Sequence, residues 1–224
     1  MEDKYKKIKK RVFITLGIFA VIIIPFYTII FALNDDIFNS SLSIIGNSLG
    51  KKAQLIIWCI SLALFFFCFL GYLFKLTNMK NKRINRMLIA TGFLLILTGF
   101  TPFLPEIYPI LAEFHNYFAV GSVILTLITL YCYVFTLRDI DKPLYRKALF
   151  GIIIVTFLNA LVFYLVGMCS AIEISFVVLV CGYLFIMLLG IYKSDKIDID
   201  HNIKKTLEER EQRRKDKNIE NKKD

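Results

Sequence analysis

The sequence predicts an all-α polytopic membrane protein, a bundle of six transmembrane helices, on three observations. The 224-residue chain is 57% hydrophobic with a mean hydropathy of +0.61, too apolar for a soluble domain of this length. It contains six apolar stretches, near 13–33, 54–75, 86–104, 116–137, 148–168 and 172–192. Each meets the requirement of about 20 residues to cross a hydrocarbon core of about 30 Å. The connections between them alternate between strongly basic and nearly uncharged. Residues 1–192 thus form one transmembrane domain, and 193–224 a charged tail.

The first stretch follows Lys4, Lys6, Lys7, Lys9, Lys10 and Arg11, a basic start that secretory signal peptides share. A signal h-region is only about 7–15 residues long with a small-residue cleavage site behind it. Val12 to Leu33 is longer and ends in Asn34-Asp35-Asp36, so the reading is a retained helix. Pro25 inside it removes a backbone hydrogen bond and predicts a kink.

Lys and Arg in short flanking segments set orientation, because basic segments stay cytoplasmic during insertion. Beyond the N-terminal cluster, Lys75, Lys80, Lys82, Arg83 and Arg86 follow the second stretch, and Arg138, Lys142, Arg146 and Lys147 follow the fourth. With the tail included, all but two of the 28 basic residues fall on one side, leaving only Lys51 and Lys52 opposite. The opposite face holds Asp35, Asp36, Glu106, Glu113 and Glu173. Both termini are expected in the cytoplasm of a cell whose plasma membrane the chain spans. Anionic lipid accounts for the basic balance, so the expected partners are membrane lipids and not nucleic acid.

The outer connections differ in character. The first, Asn34 to Lys52, is long and rich in Ser, Asn and Gly; the second, from Thr101 to about Asn116, is apolar with Pro102, Pro105 and Pro109. The third, around Met168 to Ala171, is a tight turn, so a loop-borne function is expected in the first two. From Lys193 the apolar pattern ends. Glu209 with Arg213 and Glu211 with Lys215 are spaced for i,i+4 pairs, and a solvated, frayed tail is expected.

Five cysteines, Cys59, Cys68, Cys132, Cys169 and Cys181, lie within or at the ends of apolar stretches without a Cys-x-x-Cys pair. They read as small core residues, with Cys169 alone at an outer helix end where oxidation could reach it. None of Gly92, Gly99, Gly151, Gly167, Gly182 and Gly190 in the third, fifth and sixth stretches forms a Gly-x-x-x-Gly pair, so the specific helix-dimer motif is absent from these spans. Asn39-Ser40-Ser41 matches a glycosylation acceptor pattern, but the Ile- and Lys-rich composition resembles that of a low-GC bacterium, where the pattern carries no meaning.

Candidate chemistry gathers at the outer face. His115, within Glu113-Phe114-His115-Asn116, is the one histidine near the membrane, and an ionisable group there is a functional candidate by default. Three histidines for a zinc site cannot be supplied, since His201 lies in the tail across the bilayer; no metal and no cofactor are expected. A Ser–His–Asp set could draw on Ser41 or Ser43, His115 and Asp35 or Asp36, but the Gly-x-Ser-x-Gly elbow is missing. Ion-coupled transport is disfavoured, because no charge lies mid-span and the polar groups there (Thr15, Thr28, Ser61, Thr91, Thr126, Thr129, Asn159) are mild. The expected site is a polar-floored pocket of Ser43, Asn47, Glu106, His115 and Asn116, enclosed by Phe103, Phe114 and Tyr117.

Two stretches carry a family likeness: Leu42-Ser43-Ile44-Ile45-Gly46-Asn47 after the first span, and His115-Asn116-Tyr117-Phe118-Ala119-Val120-Gly121 at the fourth. The chain resembles the bacterial domain-of-unknown-function 998 family, within the six-helix superfamily of FGF-receptor-activating, autophagy-modulator and Sfk-type proteins. The resemblance rests on Ser43, Gly46, His115 and Ala119; Ile44-Ile45 replaces the Asp-Thr common in the autophagy-modulator branch. It implies a lipid-related role, since eukaryotic members are associated with lipid remodelling and distribution. The expected function is a non-enzymatic protein binding a lipid headgroup or small amphipathic ligand in an envelope-related role; the alternatives are an enzyme acting on a lipid and a small-solute transporter.

Overall fold

The computed structural model describes residues 2–204, with side chains from residue 9 onward. Among the described residues there is no strand, and six helices are long and apolar enough to cross a membrane. The chain is an all-α, multi-pass membrane protein.

The first span, Lys9–Ala32, is built from α1 (Glu2–Ile18), a π-helical turn (Phe19–Ile23) and α2 (Ile24–Ala32). The π turn is the form the expected Pro25 irregularity takes. Proline cannot donate its backbone bond, and a single wide turn ahead of it, closed by Ile24 N–H to Phe19 O, absorbs the mismatch.

A short helix, α3 (Leu42–Ser48), follows, capped by the Ser41 hydroxyl on Ile44 N–H at 3.2 Å. The remaining spans are α4 (Lys52–Leu76), α5 (Lys82–Phe100), α6 (Pro109–Thr136), α7 (Lys142–Val166) and α8 (Ser170–Tyr192). Asn81 caps α5 and Asp141 caps α7 through side-chain oxygens, so both turns at the basic end stop one helix and start the next. Two bounds differ from the expectation in a way that matters for the site. The third span ends at Phe100, four residues early, as Pro102 and Pro105 break it. The fourth starts at Pro109, seven residues early, because proline at the first helical position is favourable.

Helix α5 packs closely on α4 and α6, while α8 packs on α2 and α7. The best-buried side chains come from α4 and α8, including Leu55, Phe69, Leu73, Val180 and Leu184, so these two helices form the bundle's core. The polar mid-span groups bond within their own helices: Thr28 to Ile24 O, Thr91 to Met87 O, Thr126 to Ser122 O and Asn159 to Val155 O. That removes the cost of burying them without a partner.

Two sequence expectations need correction. Cys169 is buried, whereas Cys68 is exposed, so the outer helix end is not where a thiol is accessible. The segment after α8 does not leave the bundle at once. Ile197 and Ile199 are buried, Asn202 donates to Leu76 O at 2.8 Å, and Lys9 pairs with Asp200 at 2.8 Å. The expected Glu209–Arg213 and Glu211–Lys215 pairs lie outside the described residues.

Candidate functional site

The site is built at the charge-poor end of the bundle, where α3 meets the first turns of α4, α6 and α8. Gly46 makes that meeting possible. A Cβ built there would lie 2.7 Å from Leu55 Cβ, so only glycine lets α3 approach α4 this closely. The turn before α8 fastens the same loop: Ser170 N–H and hydroxyl both donate to Ser40 O, at 2.8 and 2.7 Å, and Ala171 N–H donates to Ile37 O at 2.9 Å. The third outer connection, expected to be a plain turn, is therefore part of the scaffold.

On this scaffold Ser43 Oγ is 2.6 Å from His115 Nε2, and both residues are buried. Because α6 begins at Pro109, His115 lies inside the helix rather than at its exposed start, with its ring 5.2 Å from that of Phe103. His115 Nδ1 is 3.0 Å from Thr101 O. A carbonyl can only accept, so Nδ1 carries a proton. In the neutral ring Nε2 then has the lone pair and accepts from the Ser43 hydroxyl. The arrangement is a hydroxyl backed by an oriented imidazole base, with a backbone carbonyl where a carboxylate often stands.

A polar shell holds the pair in place. Asn47 Nδ2 donates to Ser43 O at 2.8 Å, while Lys52 Nζ donates to Asn47 Oδ1 and to Thr101 O, each at 3.0 Å. Ser43, Asn47 and His115 thus belong to one hydrogen-bonded network. Glu106 and Asn116 do not join it. Glu106 lies in the turn between α5 and α6 and Asn116 on the outward side of α6, both exposed. Of the three aromatic residues expected to enclose the pocket, Phe103 packs beside His115 without lining the cavity, and Phe114 and Tyr117 are exposed on the outside of α6. An early helix start rotates these neighbours outward when it turns His115 inward. Asp35 and Asp36 are also elsewhere, bonded to Ser40 and to Phe38 and Asn39 within their own loop.

Ser43 faces a cavity of about 380 Å³ that runs into the membrane-spanning part of the bundle. Its wall is overwhelmingly apolar, with Trp58, Leu62, Phe66, Leu95 and Phe176 prominent, and His115 stands behind Ser43 rather than on the wall. Val120, Val123, Phe163 and Met168 line it and are also exposed on the outside of the bundle, so it opens laterally between α6 and α7. Trp58 is held by its Nε1–H to Thr28 Oγ1 at 2.9 Å.

One wall residue escaped the sequence reading. Glu173, in the first turn of α8, accepts the Leu42 N–H at 2.7 Å through Oε2 and lines the cavity beside Ser43. The signal was available, since an acidic residue standing in an apolar run is unusual. Among the described residues no group of three His, Cys, Asp or Glu side chains could hold a metal.

Fold and site define a multi-pass α-helical membrane protein in which a buried serine on the wall of a laterally open cavity is backed by a histidine. Comparison with protein-family models, curated proteins and solved structures finds no match.

Proposed function

We propose that the protein is a membrane-embedded hydrolase of lipid-like acyl esters, with Ser43 as nucleophile and His115 as general base. The observation that carries this reading is the Ser43–His115 contact of 2.6 Å, with the histidine tautomer set by Thr101 O, on the wall of an apolar cavity. A binding pocket alone would require neither an oriented base nor its placement behind the hydroxyl.

In the proposed reaction the acyl chain enters between α6 and α7 and lies along the apolar wall. As Ser43 Oγ bonds to the ester carbonyl carbon, its proton passes to His115 Nε2. The tetrahedral intermediate collapses with cleavage of the ester C–O bond, and the alcohol leaves with the proton from Nε2. Water then attacks the acyl-Ser43 carbonyl, giving its proton to Nε2. Collapse releases the fatty acid and returns that proton to Ser43 Oγ. Lys52 and Asn47 act as positioning residues, holding Thr101 O and the backbone of Ser43.

The basic balance supports placing the site at the outer leaflet of a bacterial cytoplasmic membrane, with both termini inside. The resemblance to the domain-of-unknown-function 998 family, carried by Ser43, Gly46, His115 and Ala119, accords with a lipid-related role. The test is hydrolysis of 4-methylumbelliferyl oleate by the protein in proteoliposomes. Turnover is expected with the native chain, falling by about 100-fold or more in Ser43→Ala and in His115→Ala, with equal amounts of protein in the membrane. Turnover unchanged in both variants, or none with the native chain, contradicts the reading.

A further inference from the structure

Glu173 has no task in the acyl step, yet it is the one charged side chain on the cavity wall among the described residues. Its Oε2 is bonded to the Leu42 N–H, the amide adjacent in sequence to Ser43. Among the described residues no second donor and no cation reaches the carboxyl. The side chain is half-buried in the first turn of a membrane span and lines the cavity. A carboxyl oxygen facing an apolar void costs free energy unless something donates to it, and a ligand in the cavity can supply that donor.

The neighbouring chemistry narrows the donor. Ser43 and Glu173 line the same wall, joined through the backbone at Leu42, so a ligand whose ester carbonyl reaches Ser43 places the first atoms of its alcohol part near Glu173. A volume of about 380 Å³ is at the small end of the range of about 300–1,000 Å³ for ligand pockets, which suits one acyl chain. We propose that Glu173 selects single-chain acyl esters whose alcohol part carries a free hydroxyl next to the ester, the class of partial polyol esters to which monoacylglycerols belong. The assignment rests on the ester-hydrolase reading for its leaving group, but the binding preference it describes can be measured without turnover.

A site that hydrogen-bonds a ligand hydroxyl rejects the analogue lacking it, because its own polar group is then left unpaired. Two non-hydrolysable ethers with the same C18:1 chain isolate this effect: the 1-glyceryl ether, which has two free hydroxyls, and the methyl ether, which has none. Binding to the native protein in nanodiscs, read by native mass spectrometry, is expected to favour the glyceryl ether by about tenfold or more. Glu173→Gln keeps an amide oxygen for the Leu42 N–H but presents an uncharged group to the cavity, and most of the preference should disappear. Glu173→Asp, which keeps a carboxyl, should retain part of it. Equal binding of the two ethers by the native protein overturns the proposal, as does a preference that survives Glu173→Gln. If Glu173→Gln does not fold, the native preference alone decides. Loss of 4-methylumbelliferyl oleate hydrolysis with the ether preference intact would remove the hydrolase reading and leave Glu173 as the selector of a bound polyol lipid.

Discussion

Ser43 and His115, 72 positions apart in the chain, are joined by a hydrogen bond of 2.6 Å inside the bundle. The bond depends on the last turn of α5 as much as on either partner, because Thr101 O holds the other ring nitrogen at 3.0 Å. If the proton on Nδ1 is what leaves Nε2 free, His115→Gln should fail as a base although its amide can still bond to Ser43. Hydrolysis of 4-methylumbelliferyl oleate should fall in His115→Gln to the level of His115→Ala, and activity retained in the glutamine variant would show that only positioning is required.

Gly46 tests the packing that brings α3 to α4. Gly46→Ala would place a methyl 2.7 Å from Leu55 Cβ, and overpacking of this kind typically costs about 1–3 kcal/mol. A lower thermal midpoint in detergent is expected. An unchanged midpoint in the single variant would mean that α3 can move away from α4 at little cost.

Much of the fold was legible in the sequence, because apolar length and alternating basic loops report directly on the membrane, and the cavity-facing serine and the histidine behind it could be paired from the hairpin geometry. Glu106 and Asn116 could not be sorted from Asn47 in the same way. Which side of a helix a residue occupies depends on where the helix starts, and proline at position 109 moved that start by two turns. Glu173 was hidden for a different reason. One acidic residue near a helix end reads as loop charge until the packing of α3 over α8 shows what its oxygen accepts. The burial of Ile197 and Ile199 likewise needed the turn after α8, which a charge pattern does not encode.

Asp141, between α6 and α7, predicts an acid-sensitive contribution to stability. Burial alone would raise its carboxyl. The Ser194 hydroxyl at 2.5 Å, the Leu144 N–H at 3.1 Å and the nearby Lys196 and Lys147 outweigh that effect and hold it below its ordinary value of 3.8. A carboxyl depressed on folding adds stability that is fully present above its unfolded value and is lost as pH falls through the folded one. The native protein should therefore lose stability as pH falls below about 4, and Asp141→Asn should be less stable at neutral pH with a shallower loss across that window. Thermal midpoints at pH 7 and pH 3 compare the two, and parallel curves would assign the acid loss to other groups.

Orientation can be read by labelling single cysteines introduced into a chain lacking the five native ones. Exposed positions at Ser48 and Tyr108 should react with an impermeant maleimide in intact cells, and Asn81 and Asp139 should react only after lysis. The reverse pattern would place the serine–histidine pair on the cytoplasmic side, where the proposed substrate would be drawn from the inner leaflet.

The most direct measurement is the mass of the peptide containing Ser43 after the membrane-embedded protein is exposed to an alkyl fluorophosphonate. One covalent phosphonyl adduct on the Ser43 hydroxyl is expected, formed in the native protein and absent in His115→Ala. An unmodified Ser43 in protein saturated with the probe, or an adduct that forms equally fast without His115, would contradict it.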